Sequence, residues 1–280
     1  MPELPEVETI VRSLRKPLLG RCVLRARLRH AALYRRGSLR VPWLVGRVFS
    51  SVERIGKNAL FNFQPAGAMT VNLGMTGRLI LHSRHRRVSL PKTFRSEAGD
   101  TDDKHLHVRF HLDGGLELRY HDPRRFGFIY ITESHDIRKN LALGPDPFDT
   151  RDRDLERALE RREAAIKSLL LDQRVISGLG NIYADETLFE ARIDPRTPGR
   201  DVAGNAATVL GAARKVLRRA IAHGGSTLRD YRKPDGTTGG FQQHHAVYGR
   251  EGEPCIECGS PIKKVVISGR SSHFCPVCQR

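Results

Sequence analysis

Residues 106–120 read LHVRFHLDGGLELRY, and the fold turns on how this stretch is understood. Leu106, Val108, Phe110 and Leu112 alternate with polar residues, Asp113-Gly114-Gly115 reverses the chain, and Leu116, Leu118 and Tyr120 alternate again. A two-residue period sends one set of side chains to a single face, and a glycine-containing turn between two such runs marks a β-hairpin. Working outward, Ala59–Phe63, Met69–Leu73 and Leu79–His82 carry the same short strand character. Residues 21–131 are therefore expected to build a β-sandwich or barrel-like domain. Residues 83–104 are basic and polar with scattered serine, proline and glycine, which predicts a surface loop.

Helical patterning flanks the strands. Val7, Val11, Leu14 and Leu18 recur at i, i+4, i+7 and i+11 within residues 5–18, and Glu6 and Glu8 lie in the first turn. Gly20 follows the end of that pattern, so the N-terminus is anchored to a packed helix. Gly144-Pro145-Asp146-Pro147 reads as a linker, and beyond it the periodicity is helical. Asp152–Glu163 surrounds a few apolar residues with mixed charge, and Ile166, Leu169 and Leu170 begin another helix. Ser177-Gly178-Leu179-Gly180 breaks it, Asn181–Ala191 resumes it, and a last helix through Val209, Val216, Leu217 and Ala220 stops at Gly224-Gly225.

At 280 residues the chain has room for two domains, each with its own core. Lys plus Arg number 48 against 31 acidic residues, a formal net charge of +17. Such a field attracts polyanions, and release of condensed counterions makes nucleic acid the expected partner. Charge alone also fits a ribosome-associated basic protein, and it does not distinguish DNA from RNA. No run of apolar residues is long enough to span a bilayer, and the acidic, proline-containing start does not resemble a signal peptide. A cytoplasmic protein without membrane contact is expected.

Four of the five cysteines crowd the last stretch. Cys255-x-x-Cys258, sixteen intervening residues and Cys275-x-x-Cys278 supply four thiolates for a tetrahedral zinc ion. With every position filled by sulfur, no place remains for water, so one structural Zn²⁺ is expected and no organic cofactor. Lys263–Ile267 and Ser271–Phe274 can pair around Ser268-Gly269-Arg270, placing Arg270 at a hairpin tip. The Gly178-x-Gly180 turn and the helix start at Asn181 can hold a phosphate on backbone amides, or Asn181 can simply cap its helix.

At the other end stands Met1-Pro2-Glu3-Leu4-Pro5-Glu6. Removal of Met1 would free a secondary amine on Pro2, and N-terminal amines titrate near ~8, so a sizeable fraction is unprotonated at neutral pH. Such an amine can attack a sugar C1′ and form an iminium, with Glu3 beside it as general acid or base. The competing reading is a chain that starts Met-Pro by chance, with Pro5 filling the first turn of a helix.

Taken together these stretches resemble the formamidopyrimidine-DNA glycosylase family, essentially end to end. The resemblance rests on Pro2 through Thr9, Asn72-Leu73-Gly74-Met75-Thr76-Gly77, Asp122-Pro123-Arg124-Arg125-Phe126-Gly127 and Ser177 through Glu186. Phe241-Gln242-Gln243, Val247-Tyr248-Gly249-Arg250 and the four-cysteine finger complete it. It implies an α+β protein: an N-terminal β-sandwich flanked by helices (1–134), a linker (135–150), a helix–two-turn–helix domain (151–245) and a zinc finger (246–280). DNA would lie across the cleft between them.

The resemblance makes Pro2 the nucleophile, Glu3 the proton donor to the sugar ring oxygen, and Lys57 a phosphate contact that assists elimination. Glu6 resembles a carboxylate that shapes the pocket. Met75, Arg124 and Phe126 match side chains that fill the hole left by an everted nucleotide, with Arg125 beside them, and Asn181, Arg270 and Lys167 match phosphate contacts. Residues 224–240 resemble a loop that closes over an everted 8-oxoguanine.

Three departures stand out: Asn72 where many relatives have histidine, Asn58 rather than an aromatic after Lys57, and a longer segment at 82–104. The implied activity is excision of oxidised purines from duplex DNA with β,δ-elimination at the abasic site, carried out by a monomer. The alternatives are an endonuclease VIII type acting on oxidised pyrimidines, against which Leu4 and Arg124-Arg125-Phe126 argue, and an inactive DNA-binding homologue, against which Pro2, Glu3 and Lys57 argue.

Overall fold

The structure, a computed structural model, describes residues 1–83, 104–134, 136–227 and 238–280. These fall into two compact units, one built from 1–137 with 224–240 and the other from 138–223 with 241–280.

The first unit begins with α1 (Leu4–Leu18), whose buried stripe comprises Leu4, Val7, Ile10, Val11, Leu14 and Leu18. Pro5 sits at its start, where a missing N–H costs nothing, and Glu3 and Glu6 form a reciprocal capping box. Gly20, at φ +78°, turns the chain out of the helix. Then follow β1 (Val23–Leu28), β2 (Val48–Ile55), β3 (Asn58–Gln64), β4 (Ala68–Asn72), β5 (Arg78–Ser83), β6 (Leu106–Leu112), β7 (Leu116–His121) and β8 (Phe128–Thr132). They form two antiparallel four-stranded sheets, ordered β1-β6-β7-β5 and β2-β3-β4-β8. The expected hairpin is β6–β7, and Val108, Phe110, Leu118 and Tyr120 all point into the core. Phe49, Phe61, Met69, Val71, Ile129 and Ile131 meet them from the second sheet, and α1 adds its apolar stripe. Of the sandwich and barrel-like arrangements expected from the alternation, this is the sandwich. Residues 84–103, nearly all of the proposed surface loop, lie outside the described residues.

The second unit holds α2 (Ile137–Asn140, of which Ile137 belongs to the first unit), α3 (Asp152–Leu159), α4 (Ile166–Leu171), α5 (Asn181–Glu190), α6 (Gly199–Val202) and α7 (Ala206–Ala222). It ends in the antiparallel ribbon β9 (Lys263–Ile267) and β10 (Arg270–Phe274). The α5 helix packs between α7 and β10. Gly144-Pro145-Asp146-Pro147, expected as a linker, is hydrogen-bonded to this unit. Gly144 donates to the Gln173 carbonyl at 2.8 Å, the Pro145 carbonyl accepts from the Ser177 amide at 2.8 Å, and Asp146 is buried. The Gly144 amide and the Pro145 carbonyl thus pair with the turn between α4 and α5.

The ribbon turn also differs from the expected three-residue tip. Ile267 pairs directly with Arg270, and Ser268 and Gly269 occupy the turn at φ +47° and +73°. Two positive φ values define the type I′ turn favoured by the twist of a two-residue hairpin. Arg270 is thus the exposed first residue of β10, one step back from the tip.

Candidate active site

In the first unit the chain start is ordered and enclosed. Pro2 and Glu3 are buried while Met1 stays 56 % exposed. The Glu3 amide donates to Glu6 Oε2 at 2.8 Å, and the Glu3 carboxylate accepts from the Glu6 amide. The other Glu6 oxygen accepts from the Ser226 amide at 2.7 Å. Gly225, at φ +79°, packs so closely that a Cβ there would lie 2.6 Å from Glu6 Oε1. Glu6 therefore clamps the chain start to the glycine segment at 224–227. Residues 228–237, the middle of the proposed lesion loop including Thr237, lie outside the described residues.

Lys57 is placed by a tight turn. Ile55 pairs with Asn58, leaving Gly56 and Lys57 as the two-residue connection of β2 and β3, with Gly56 at φ +57°. Glu8 on α1 reaches Arg54, three residues before Lys57, at 3.1 Å. Burial alone would raise the Glu8 carboxyl, but hydrogen bonds and charge from Arg12 and Arg54 bring it below the usual range. The helix that begins beside Pro2 and Glu3 is thereby tied to the hairpin that carries Lys57.

Met75, Arg124 and Phe126 meet on one surface. Met75 is 40 % exposed and Phe126 57 %, large values for such side chains. The Arg124 guanidinium lies over the Phe126 ring, 4.5 Å from its centroid, and Nη1 stands 3.5 Å from the Met75 sulfur. The two loops that present them are bound together by Asp122, which is fully buried. Its carboxylate accepts from Thr76 Oγ1 (2.6 Å), the Gly127 amide (2.9 Å) and the Tyr120 hydroxyl (3.2 Å). Burial and the neighbouring Asp122 charge push the Tyr120 phenol upward, so it stays a donor. Gly74, at φ +56°, lies so near the Phe126–Gly127 backbone that a Cβ would stand 2.5 Å away. Arg125 takes the left-handed region at φ +54°, which turns Arg124 and Phe126 outward on either side of it.

Asn58 and Asn72, two separate departures from the family pattern, are partners. They face each other across β3 and β4, and Asn72 Nδ2 donates to Asn58 Oδ1 at 2.9 Å. Asn72 Oδ1 then accepts from the Gly74 amide at 2.9 Å, and Asn58 Nδ2 donates to the Ile55 carbonyl at 3.0 Å. One amide pair thus links the Lys57 turn to the Met75 loop.

In the second unit, Gln173 organises the glycine turn, donating to the carbonyls of Leu171 and Leu179 (both 2.9 Å) and accepting from the Gly178 amide (3.0 Å). Gly180 is the N-cap of α5 and Asn181 its first helical residue, so Asn181 is not the cap. Its Nδ2 stands 3.4 Å from Ser271 Oγ, beside Arg270. The structure brings these two proposed phosphate contacts to the same edge of the unit. Lys167 is different. Its side chain is wholly buried, with Nζ 2.7 Å from Asp185 Oδ1 and donating to the Ser271 carbonyl at 2.6 Å. An ammonium enclosed on all sides cannot also reach a DNA phosphate, so the expected contact is corrected to an internal tie.

The cysteine sulfurs all lie within 4.8 Å of one another, with Cys255–Cys278 at 3.9 Å and Cys258–Cys275 at 3.5 Å. Thiolates around tetrahedral zinc, at Zn–S of about 2.3 Å, stand roughly 3.8 Å apart, so the set fits one structural zinc ion. Glu186 closes the approach to the finger, accepting the amides of Ala246 (2.8 Å), Val247 (3.0 Å) and Tyr248 (2.8 Å). Burial raises its carboxyl against the pull of these three amides. Asp122, Gln173 and Asp185 were missed by sequence reasoning, and the first was within reach because it opens the Asp-Pro-Arg-Arg-Phe-Gly motif.

Comparison with known proteins agrees along the whole chain. Residues 1–129 match the formamidopyrimidine-DNA glycosylase N-terminal domain, 143–232 its H2TH domain, and 252–280 the zinc finger found in FPG and IleRS. Formamidopyrimidine-DNA glycosylases of Solibacter usitatus and Thermus thermophilus are each 42 % identical, over 100 % of this chain and 100 % and 98 % of their own. A crystal structure of the MutM (Fpg) protein from Thermus thermophilus superposes with a TM-score of 0.84 at 40 % identity, covering 99 % of this chain and 98 % of that one. A Lactococcus lactis FPG variant in complex with Fapy-dG-containing DNA gives 0.85 at 30 % identity with both chains fully covered. The chain belongs to the formamidopyrimidine-DNA glycosylase family.

Proposed function

We propose that this protein is a base-excision-repair DNA glycosylase that removes oxidised purines, 8-oxoguanine and formamidopyrimidines, and then cleaves the abasic site by β,δ-elimination. The observation that carries the reading is the enclosed chain start: Pro2 and Glu3 are buried at the head of a capped helix, whereas an idle terminus would fray. A nucleophile must be held against its target, and a fixed terminus achieves this.

Once Met1 is removed, the Pro2 nitrogen lone pair attacks C1′ and the glycosidic C–N bond breaks, with the departing base taking up a proton. Glu3 protonates the sugar ring oxygen, the ring opens, and an iminium joins Pro2 to C1′. Loss of a C2′ proton expels the 3′ phosphate, and a second elimination expels the 5′ phosphate. Lys57 holds a phosphate beside the lesion. The target C1′ is inaccessible in a stacked duplex, so Met75 and Phe126 occupy the vacated space while Arg124, with its planar set of donors, pairs with the orphaned cytosine. Arg125 supports that wedge, Glu6 shapes the pocket, and Asn181 and Arg270 hold flanking phosphates.

Relatives crystallised with Fapy-dG and abasic-site DNA support this substrate class. In functional terms the chain divides into a catalytic sandwich (1–134), a connector (135–150) whose Gly144–Pro147 end is anchored by hydrogen bonds to the helical domain, a DNA-binding helical domain (151–245) and a finger (246–280), acting as a cytoplasmic monomer on DNA. Borohydride trapping on duplex with 8-oxoguanine opposite cytosine tests the reading. Wild type should form a covalent adduct and Pro2→Gly should not. Equal trapping by Pro2→Gly, or a marked preference for an oxidised pyrimidine, would refute it.

A further inference from the structure

The residue that failed as a phosphate contact points to another device. Lys167 on α4 and Asp185 on α5 form an ion pair in which neither side chain is exposed. Asp185 Oδ2 accepts from the His273 amide at 2.9 Å and lies 3.2 Å from His273 Nδ1. Lys167 Nζ donates to the carbonyl of Ser271. Ser271 and His273 both belong to β10, the strand that Arg270 begins. One buried carboxylate and one buried ammonium thus grip the same strand from two helices, through backbone groups two residues apart.

Burying two charges is costly in free energy, and well-packed apolar residues often serve stability as well or better. What a buried pair offers is a unique register. The ribbon's outward residues Lys263, Lys264, Val266 and Arg270 are exposed, and Phe274 is buried beneath it. Ser168 Oγ to Ser268 Oγ (2.7 Å) and Asn181 Nδ2 to Ser271 Oγ (3.4 Å) are side-chain contacts, whereas the ion pair takes hold of the β10 backbone directly. The cluster beneath the finger is small, comprising Phe189, Ala246, Val247, Cys255, Ile262 and Cys275.

We infer that Asp185, with Lys167, is a positioning residue for DNA binding: the pair sets the register of β10 on α5 and so places Arg270 and Asn181 together on a phosphate. The inference rests on the proposed phosphate contact of Arg270, and its test separates the two. Neither Asp185 nor Lys167 touches DNA. Removing Asp185 also takes a negative charge from a protein that binds a polyanion, which by charge alone should tighten binding. Weaker binding through this substitution therefore reports geometry.

The measurement is the salt dependence of the dissociation constant for duplex DNA carrying a stable abasic-site analogue. Wild type, Arg270→Ala, Asp185→Asn and the double variant are compared, with zinc content measured for each. Each phosphate contact contributes close to one unit to the slope of log K against log salt. Arg270→Ala should lower the slope by about one, Asp185→Asn by the same amount with zinc retained, and the double variant by no more than either. A wild-type slope in zinc-loaded Asp185→Asn, or an additive loss of about two in the double variant, overturns the inference while leaving the Arg270 contact intact. A wild-type slope in Arg270→Ala overturns the contact itself and the inference with it. If Asp185→Asn loses zinc, Lys167→Met/Asp185→Leu carries the test, because it removes both the ammonium and the carboxylate acceptor without leaving a buried charge unpaired. It should keep zinc and show the same single-unit loss, and a wild-type slope there refutes the register role.

Discussion

Arg124 and Arg270 are both exposed arginines, one on a short turn and one on the strand that leaves a turn, yet the two are braced by different physics. The Arg124 loop is held by Asp122, whose carboxylate takes its three hydrogen bonds from neutral donors, above a sandwich core of aromatic and branched side chains. The Arg270 ribbon has a smaller apolar cluster beneath it, with Phe274 buried alongside, and is held by four thiolates and a buried ion pair. Where apolar burial is plentiful, a hydrogen-bonded hub suffices to fix a loop. Where it is scarce, the chain uses a metal site and paired charges, which are stronger and more directional but fail abruptly when one member is lost.

The largest effect should therefore come from the finger. Cys275→Ala, or a strong chelator, removes a zinc interaction whose apparent strength in small fingers is about 10–16 kcal/mol. Zinc content should fall to zero and lesion-DNA binding should be lost in a gel-shift assay, while Trp43, the single tryptophan, reports an intact sandwich by fluorescence. Tight binding by the zinc-free variant would break the comparison.

Next in size is Asp122→Ala, which leaves a buried amide and two hydroxyls without their acceptor. A loss of roughly 3 kcal/mol is expected, seen as a lower urea midpoint by Trp43 fluorescence with zinc retained. An unchanged midpoint would show that the sandwich, and not the hub, fixes the loop.

Acid should separate the two units in a third way. Burial depresses His245 in the second unit from an ordinary 6.5 to about 4. Its folded pKa lies below the unfolded one, so the unfolded chain binds more protons between pH 6.5 and 4, and stability falls as pH drops through that window. The limit is on the order of 3 kcal/mol. In the first unit, burial pushes Glu117 upward, but Arg119, Arg109 and His111 more than reverse this and hold its carboxyl below the ordinary 4.5. Its contribution is complete above that value and lost only as pH falls through the lower folded pKa. Between pH 7 and 5 the urea midpoint of the second unit should drop in wild type and much less in His245→Gln, whereas the two proteins should respond alike at Trp43. Parallel shifts would contradict the assignment.

The smallest stability effect, within about 0.5 kcal/mol, belongs to Phe126→Ala, because the ring is already exposed. Its cost should appear in binding instead. Preference for lesion over undamaged duplex should fall about tenfold or more by fluorescence anisotropy, since the wedge offsets a few kcal/mol of unstacking. Unchanged preference would remove Phe126 from the wedge.

Much of this was legible in the residues themselves. The α1 stripe, the β6–β7 alternation and the Cys-x-x-Cys spacing are local periodicities, and the structure places each as read. What was not legible is pairing across distance. Asp122 accepts a hydrogen bond from Thr76, Asp185 binds a strand 88 residues away, and Asn58 and Asn72 look like unrelated departures in sequence although their side chains meet. Lys167 was misread for the same reason: in a chain of net charge +17 a lysine suggests a phosphate, and only its partner on α5 shows that it is spent internally. At Gly144–Pro147, proline and glycine mark irregular backbone without saying whether its polar groups are in use, and the bonds to Gln173 and Ser177 could not be read.

The most direct test of the central claim is to locate the covalent bond. Protein whose intact mass shows Met1 removed is reduced with borohydride on 8-oxoguanine duplex, digested and sequenced by mass spectrometry. The account predicts the sugar remnant on the Pro2 nitrogen, and none in a preparation whose terminal nitrogen is acylated. A remnant on Lys57 or another lysine, or turnover by the acylated protein, would contradict it.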